Sequence, residues 1–381
     1  MRKLLMVAIL ACGVFAAPTG AADEDEVNYL ALAALMLRDG NYDRAMLALE
    51  QLDRTAEGVD LARYYTLLGM THLRRNELEP ARDALQQATD SGAVDAVVYI
   101  YLAQVYYQLE DYRQTLAALE RAGAAVERVP SVYHMKAQCY WLLDNPILAL
   151  TTLDQANEIF PEDTSFLRRK VFFLIDLGLF SQAIGYGQEY LTRTEGKLED
   201  YIALGTALRA SGDLDQAAVL LEQAQLSFPG SAEVRKALAH VYIGREQLGA
   251  AADILYQAAL REPALLAEAA ELYRRSGQLL RALTLNSQLS DQPAKLRQRL
   301  ALYFELQNFE QAVALEPALR RVGLLADEEL RYAVAYALFK VGDFPAAEKY
   351  LAELNRPDLF RKAAELRRAM GDCARDSWKC L

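Results

Sequence analysis

Apolar residues return at three- and four-residue spacing along most of the chain, the period of helices that bury one face. The pattern itself recurs. PSVYHMKAQCYWLLDNPILALTTLDQANEIFPED, beginning at Pro130, and LEDYIALGTALRASGDLDQAAVLLEQAQLSFPGS, beginning at Leu198, place small residues, aromatics and a closing proline at the same offsets. Segment starts at 62, 96, 130, 164, 198 and 232 lie 34 residues apart, and less regular copies begin near 26, 263, 293 and 328. Ten copies therefore cover about residues 26–361. Repetition on this scale predicts one stack of similar units in place of two or three separate globules.

Each copy reads as two helices of roughly 13 residues joined by a short turn. Position 20 is Ala45, Ala81, Thr115, Ala149, Ala183, Ala217, Ala251, Ala282, Ala312 and Ala347. Position 8 is Ala33, Gly69, Ala103, Ala137, Val171, Gly205, Ala239, Ala270, Leu300 and Ala335. Small residues there let paired helices approach to about 8–10 Å. Position 11 is often aromatic, as at Tyr106, Tyr140, Tyr242, Tyr273 and Tyr303, and Pro161, Pro229 and Pro263 close three copies. Gly40, Gly178, Gly212 and Gly342 mark the turn, where glycine accepts the left-handed backbone that ends a helix. Pro80, Pro146 and Pro345 fall where the second helix begins. The ladder loosens towards the end, with spacings of 31, 30 and 35 residues. Pro317 lies inside a predicted second helix and should kink or shorten it, by repeat drift or as a functional hinge. Residues 357–370 read as a capping helix with a basic outer face.

These positions resemble the tetratricopeptide repeat family. The resemblance implies an all-α, right-handed superhelical solenoid of about ten helix-turn-helix repeats. It also implies that first helices line a concave surface through repeat positions 2, 5, 6, 9, 12 and 13. In the third to fifth repeats those positions hold Tyr101, Gln104, Tyr107 and Gln108, then His134, Gln138 and Trp141, then Arg168, Arg169, Phe172 and Asp176. Aromatic area beside amide and guanidinium donors suits an extended, acidic peptide segment. Ordinary packing between repeats is the competing account, for Tyr107 and Phe172 above all. Family members that hold chaperone tails use a Lys/Asn/Arg carboxylate clamp. The early inward positions here are Leu30, Ala31 and Ala34, then Thr66, Leu67 and Met70, so that role is not supported.

Charge and composition narrow the function. The 381 residues carry a formal net charge of -11, a poor match to a phosphate backbone, so no nucleic-acid partner is expected. Three His and four Cys leave little material for a metal site. No nucleophile elbow, zinc-protease helix or phosphate-binding glycine loop is present, so neither an enzymatic activity nor a cofactor is expected. Acid pairs such as Glu199-Asp200 fall at helix starts and are read as exposed capping charge.

Residues 1–22, MRKLLMVAILACGVFAAPTGAA, read as a signal peptide: basic Arg2 and Lys3, an apolar run from Leu4 to Ala17, then small residues. Cleavage is expected after Ala22, and loss of Arg2 and Lys3 takes the charge from -11 to -13. The mature chain is then expected in the bacterial periplasm, with no integral membrane span. A lipid anchor on Cys12 is a minor alternative. Cys139 reads as a small packing residue. Cys373 and Cys380 flank a short polar segment, and an oxidising compartment favours a disulfide between them over two free thiols. The divisions are thus 1–22 signal peptide, 23–361 repeat solenoid, and 362–381 cap and tail. The functional expectation is a scaffold or adaptor that binds envelope proteins or peptides in the concave groove. A carbohydrate-associated role, in polysaccharide export or cell-wall synthesis, is the contrasting possibility.

Overall fold

A computed structural model describes residues 28–375. These residues form twenty-two α-helices and three short 3-10 helices, with no strand among them. The helices pair in sequence, one pair per predicted repeat. Tyr29–Arg38 with Tyr42–Glu50 forms the first pair, and Glu328–Lys340 with Phe344–Ala352 the tenth. Helix Pro357–Arg375 is the last described element, extending the predicted cap by five residues and running through the expected division at 361/362.

Each pair is joined the same way. The turn residue at repeat position 15 has positive φ in all ten repeats. Five of these are glycines: Gly40, Gly178, Gly212, Gly277 and Gly342. The others are Asn76, Glu110, Asp144, Glu246 and Gln307. The left-handed residue reverses the chain and returns donors to the last carbonyls of the first helix. In the fifth repeat Leu179 N donates to Leu174 O at 2.9 Å and Gly178 N to Ile175 O at 2.9 Å. The next residue caps the second helix where it is Asp, at Asp111, Asp213 and Asp343. Asp213 Oδ1 accepts from Gln216 N at 3.1 Å, and Asp111 Oδ1 from Gln114 N at 3.1 Å.

Small residues at positions 8 and 20 do what their size predicts. All ten position-20 residues are buried, Thr115 included. A β-carbon on Gly205 would stand 2.6 Å from Leu221 Cγ, and one on Gly69 would stand 2.5 Å from Leu85 Cγ. The partner in both contacts is the leucine at repeat position 24. Leu49, Leu85, Leu119, Leu153, Leu221, Leu255 and Leu351 occupy that position and are among the most deeply buried side chains. Each contributes about 1.5–3 kcal/mol by leaving water.

The chain divides into two compact units, 1–152 and 153–381, with the boundary inside helix Pro146–Ile159. The first unit packs around Leu85, Leu102, Val105 and Leu119. In the second, one cluster centres on Leu255, Ala269, Ala270 and Leu302, and another on Leu319, Val334, Ala337 and Leu351. The irregular repeats lie in this unit. Helix Leu279–Ser287 has 9 residues where Leu214–Ser227 has 14. Its position 24 is Asn286, fully buried, whose amide donates to Lys295 O at 2.9 Å and accepts from Arg299 Nε at 2.8 Å. In the ninth repeat the second helix is split into Phe309–Ala314 and Glu316–Arg321. Pro317 sits in the first turn of the latter piece, where its missing N–H is tolerated.

Candidate partner-binding groove

The nine nominated groove residues divide between the two units. Tyr101, Gln104 and Tyr107 lie on helix Ala96–Gln108, and His134, Gln138 and Trp141 on helix Pro130–Leu142, all in the first. Arg168, Arg169 and Phe172 lie on helix Ser165–Asp176 in the second. Every one of them is half-buried, while Gln108 and Asp176 are exposed. Spacings of four and three residues put His134, Gln138 and Trp141 on one helical face. His134, Gln138, Trp141 and Arg169 each have interaction partners of their own.

Tyr107 has a structural partner. Its ring meets Tyr112 edge-on at 5.9 Å, and the same pair recurs as Phe304–Phe309 at 5.7 Å and Phe339–Phe344 at 5.8 Å. Positions 12 and 17 thus lock the turn between the helices of one repeat. Arg168 is likewise engaged. Its Nε donates to Asp200 Oδ1 at 2.6 Å, and its guanidinium lies 5.0 Å from the Phe172 ring centroid.

Asp200 corrects the view that such acids are exposed. Its side chain is only 2% accessible. Besides Arg168, its Oδ2 accepts from Tyr190 Oη at 3.0 Å and from Lys197 N at 2.8 Å. The capping part of the expectation holds, since Lys197 N is the donor at the start of helix Leu198–Ala210. Burial arises because the carboxylate, in the sixth repeat, is enclosed by three donors from the fifth.

Two further polar arrangements went unread in the sequence. Lys170 is 7% exposed, with its ammonium 3.7 Å from the Tyr186 ring centroid and bonded to Asp154. Burial works against its charge, but the bonds to Asp154 and Tyr186 outweigh that and hold its pKa above the usual lysine range. The second arrangement accounts for three of the tyrosines at position 11. Tyr242 Oη donates to Glu222 at 2.6 Å, Tyr273 Oη donates to Asp253, and Tyr106 Oη accepts from Gln86. Each reaches back 20 residues to the second helix of the preceding repeat. Desolvation and the bond to Asp253 push Tyr273 up to about 12. The sequence did hold this signal, as an acid or amide 20 residues before a position-11 tyrosine.

The fifth repeat lacks the position-24 leucine and has Gly187 instead. A β-carbon there would stand 2.1 Å from Leu204 Cδ2 of the next repeat. Beside it an apolar cleft of about 320 Å³ is walled by Ile184, Leu191, Leu204, Leu208 and Val219. Gln188 and Gln216 bridge its rim at 3.1 Å.

The helix pairs, their left-handed turn and their buried small residues have one more counterpart: residues 208–275 match the tetratricopeptide repeat family model. Residues 208–275 are tetratricopeptide repeats, and the helix pairs on either side of them share the same turn and buried small residues. Proteins built from these repeats serve protein–protein interaction. No curated protein matches this tetratricopeptide chain. It is similar to solved structures at low identity. The crystal structure of MamA protein is 14% identical with a TM-score of 0.41, covering 45% of this chain and 93% of that one. YrrB, described as a TPR protein with an unusual peptide-binding site, is 21% identical with a TM-score of 0.40, covering 47% and 92%. Pseudomonas aeruginosa pilF is 17% identical with a TM-score of 0.41, covering 56% and 96%. Among the described residues of the tetratricopeptide chain no group of His, Cys, Asp and Glu is arranged to hold a metal ion. No described helix is long and apolar enough to cross a membrane.

Proposed function

We propose that this protein is a non-enzymatic scaffold or adaptor of the bacterial periplasm that binds envelope proteins through extended segments. The feature that supports the binding role is the face of helix Pro130–Leu142, which carries His134, Gln138 and Trp141 at four- and three-residue spacing, all half-buried. A large ring flanked by hydrogen-bonding groups is the usual composition of an interaction anchor. Tyr101 and Gln104 repeat it on helix Ala96–Gln108. The compartment rests on residues 1–22, and the pairing of Cys373 rests on Cys380; both lie outside the described residues. Cys373 is buried in the last turns of the cap helix.

Crosslinking in cells followed by affinity capture and mass spectrometry tests the proposal. Envelope proteins should be recovered, and the captured chain should begin at Asp23. Trp141→Ala should weaken partner binding by about 2 kcal/mol without loss of helicity. Retention on purified glycan without protein partners would replace this reading with the carbohydrate-associated one. Alkylation without reductant should spare Cys373 and Cys380 in exported protein.

A further inference from the structure

Adjacent second helices leave a cleft between them, and three such clefts differ in what lines them. Between Leu78–Ser91 and Tyr112–Arg121 the space is about 340 Å³, walled by Gln86, Thr89, Asp90, Tyr106 and Arg121. Between Leu248–Ala259 and Leu279–Ser287 it is about 430 Å³, with Asp253, Tyr273, Arg281 and Thr284 in its wall. Charged side chains and a hydrogen-bonded position-11 tyrosine line both. The cleft between Phe180–Arg193 and Leu214–Ser227, wholly within the second unit, is of similar size at about 320 Å³. Its wall is aliphatic, and Val219 in that wall is 67% exposed.

Two departures from the repeat pattern produce this lining. Position 11 of the sixth repeat is Leu208 in place of tyrosine. Gln86 donates to Tyr106 at 2.5 Å, whereas its counterpart Gln188 donates to Gln216 at 3.1 Å. Position 24 of the fifth repeat is Gly187, so no leucine side chain occupies the space beside Leu204. Charge then limits what can enter. Among the described residues the lining holds one charged group, Asp215, and Arg245 pairs with it at 3.1 Å. A carboxylate or phosphate would lose its water there without gaining a cation. A flat ring would find no ring to stack on. The amides of Gln188, Gln216 and Gln223 can donate to an uncharged carbonyl.

We propose that this cleft binds the acyl chain of an uncharged ester lipid. Methylenes would lie against Ile184, Leu191, Leu204 and Leu208, with the ester carbonyl at the glutamine amides. Burial of the chain supplies the affinity, and the amides set its direction. The site lies on second helices and is independent of the scaffold reading, whose residues lie on first helices.

The test titrates the full mature chain with 1-decanoylglycerol below its micelle concentration, read by calorimetry. Affinity should rise about fourfold for each methylene added from the hexanoyl to the decanoyl ester. Decanoate, the charged twin, should bind at least tenfold more weakly. Val219→Glu should weaken the ester tenfold or more with an unchanged thermal midpoint, because that side chain is mostly exposed. Leu208→Tyr restores the position-11 tyrosine and should also close the cleft; if that variant fails to fold, Val219→Glu decides. Leu280→Glu, an exposed apolar position in the cleft of the eighth repeat, should change nothing. Absence of binding by the ester, full binding by Val219→Glu, or equal loss in Leu280→Glu overturns the proposal. So does equal or tighter binding of decanoate. A neutral amphipathic Leu/Gln helix that binds more tightly than the ester and is lost in Val219→Glu would make this a helix-docking cleft and overturn the acyl assignment.

Discussion

At the scale of single residues, contacts decide between binding and packing roles. Arg168 was a candidate ligand donor, yet its closest partner is the buried carboxylate of Asp200. Asp200→Ala should therefore cost about 2 kcal/mol in urea denaturation, because Tyr190 Oη and Lys197 N lose their acceptor. A residue used only for ligand would leave the midpoint unmoved. Gly205 has a different constraint, since a side chain there collides with Leu221. Gly205→Val should destabilise by about 1–3 kcal/mol, read from the same measurement. Candidate residues were legible because the family pattern gives their register. Their engagement was not, because the partner of Arg168 lies 32 residues away in the next repeat. Helical periodicity states which face a residue occupies, but not what the neighbouring repeat places against it.

Within the repeat, the turn and the tyrosine links carry the consequences. Five turns hold a non-glycine residue at positive φ, a conformation that costs L-residues about 1–2 kcal/mol. Glu246→Gly should consequently stabilise the protein by up to about 1 kcal/mol, offset in part by the freer unfolded chain. A fall in the urea midpoint would contradict this. The tyrosine links predict an alkaline response. Tyr273 is held near 12, above the value of about 10 it has when unfolded. A raised pKa gives stability that is complete below pH 10 and is lost as pH rises through 12. Lys170, also raised, acts in the same direction. Urea midpoints measured from pH 9 to 12 should fall, and Tyr273→Phe should flatten part of that fall. Helix pairing was readable from the spacing of small residues, and the break at Pro317 from proline chemistry. The shortened helix Leu279–Ser287 was not, because buried Asn286 stands where leucine stands elsewhere. Its amide is satisfied by Lys295 and Arg299 of the following helix, a compensation no local pattern reveals.

For the whole molecule, the governing fact is that each helix pair packs chiefly on its sequence neighbours. Stability should then be lost in steps as repeats are removed from one end of the chain. Deleting Glu328–Ala352 together with the cap should lower the urea midpoint and leave the first unit folded, as monitored by protease resistance. Collapse of all helical signal at once would show cooperativity across the whole stack.

Cys139 turns that stack into its own timekeeper. Its thiol is buried against Thr115, and burial pushes its pKa up to about 11, with the Thr115 bond pulling the other way. The thiolate that reagents attack is therefore scarce while the third and fourth repeats stay closed. Modification by a small disulfide reagent must wait for those repeats to part. At low reagent the labelling rate reports how often that pair stands open; at saturating reagent it reports how fast it opens. A single native atom, with no added probe, thus gives both the population and the rate of one breathing motion inside the first unit.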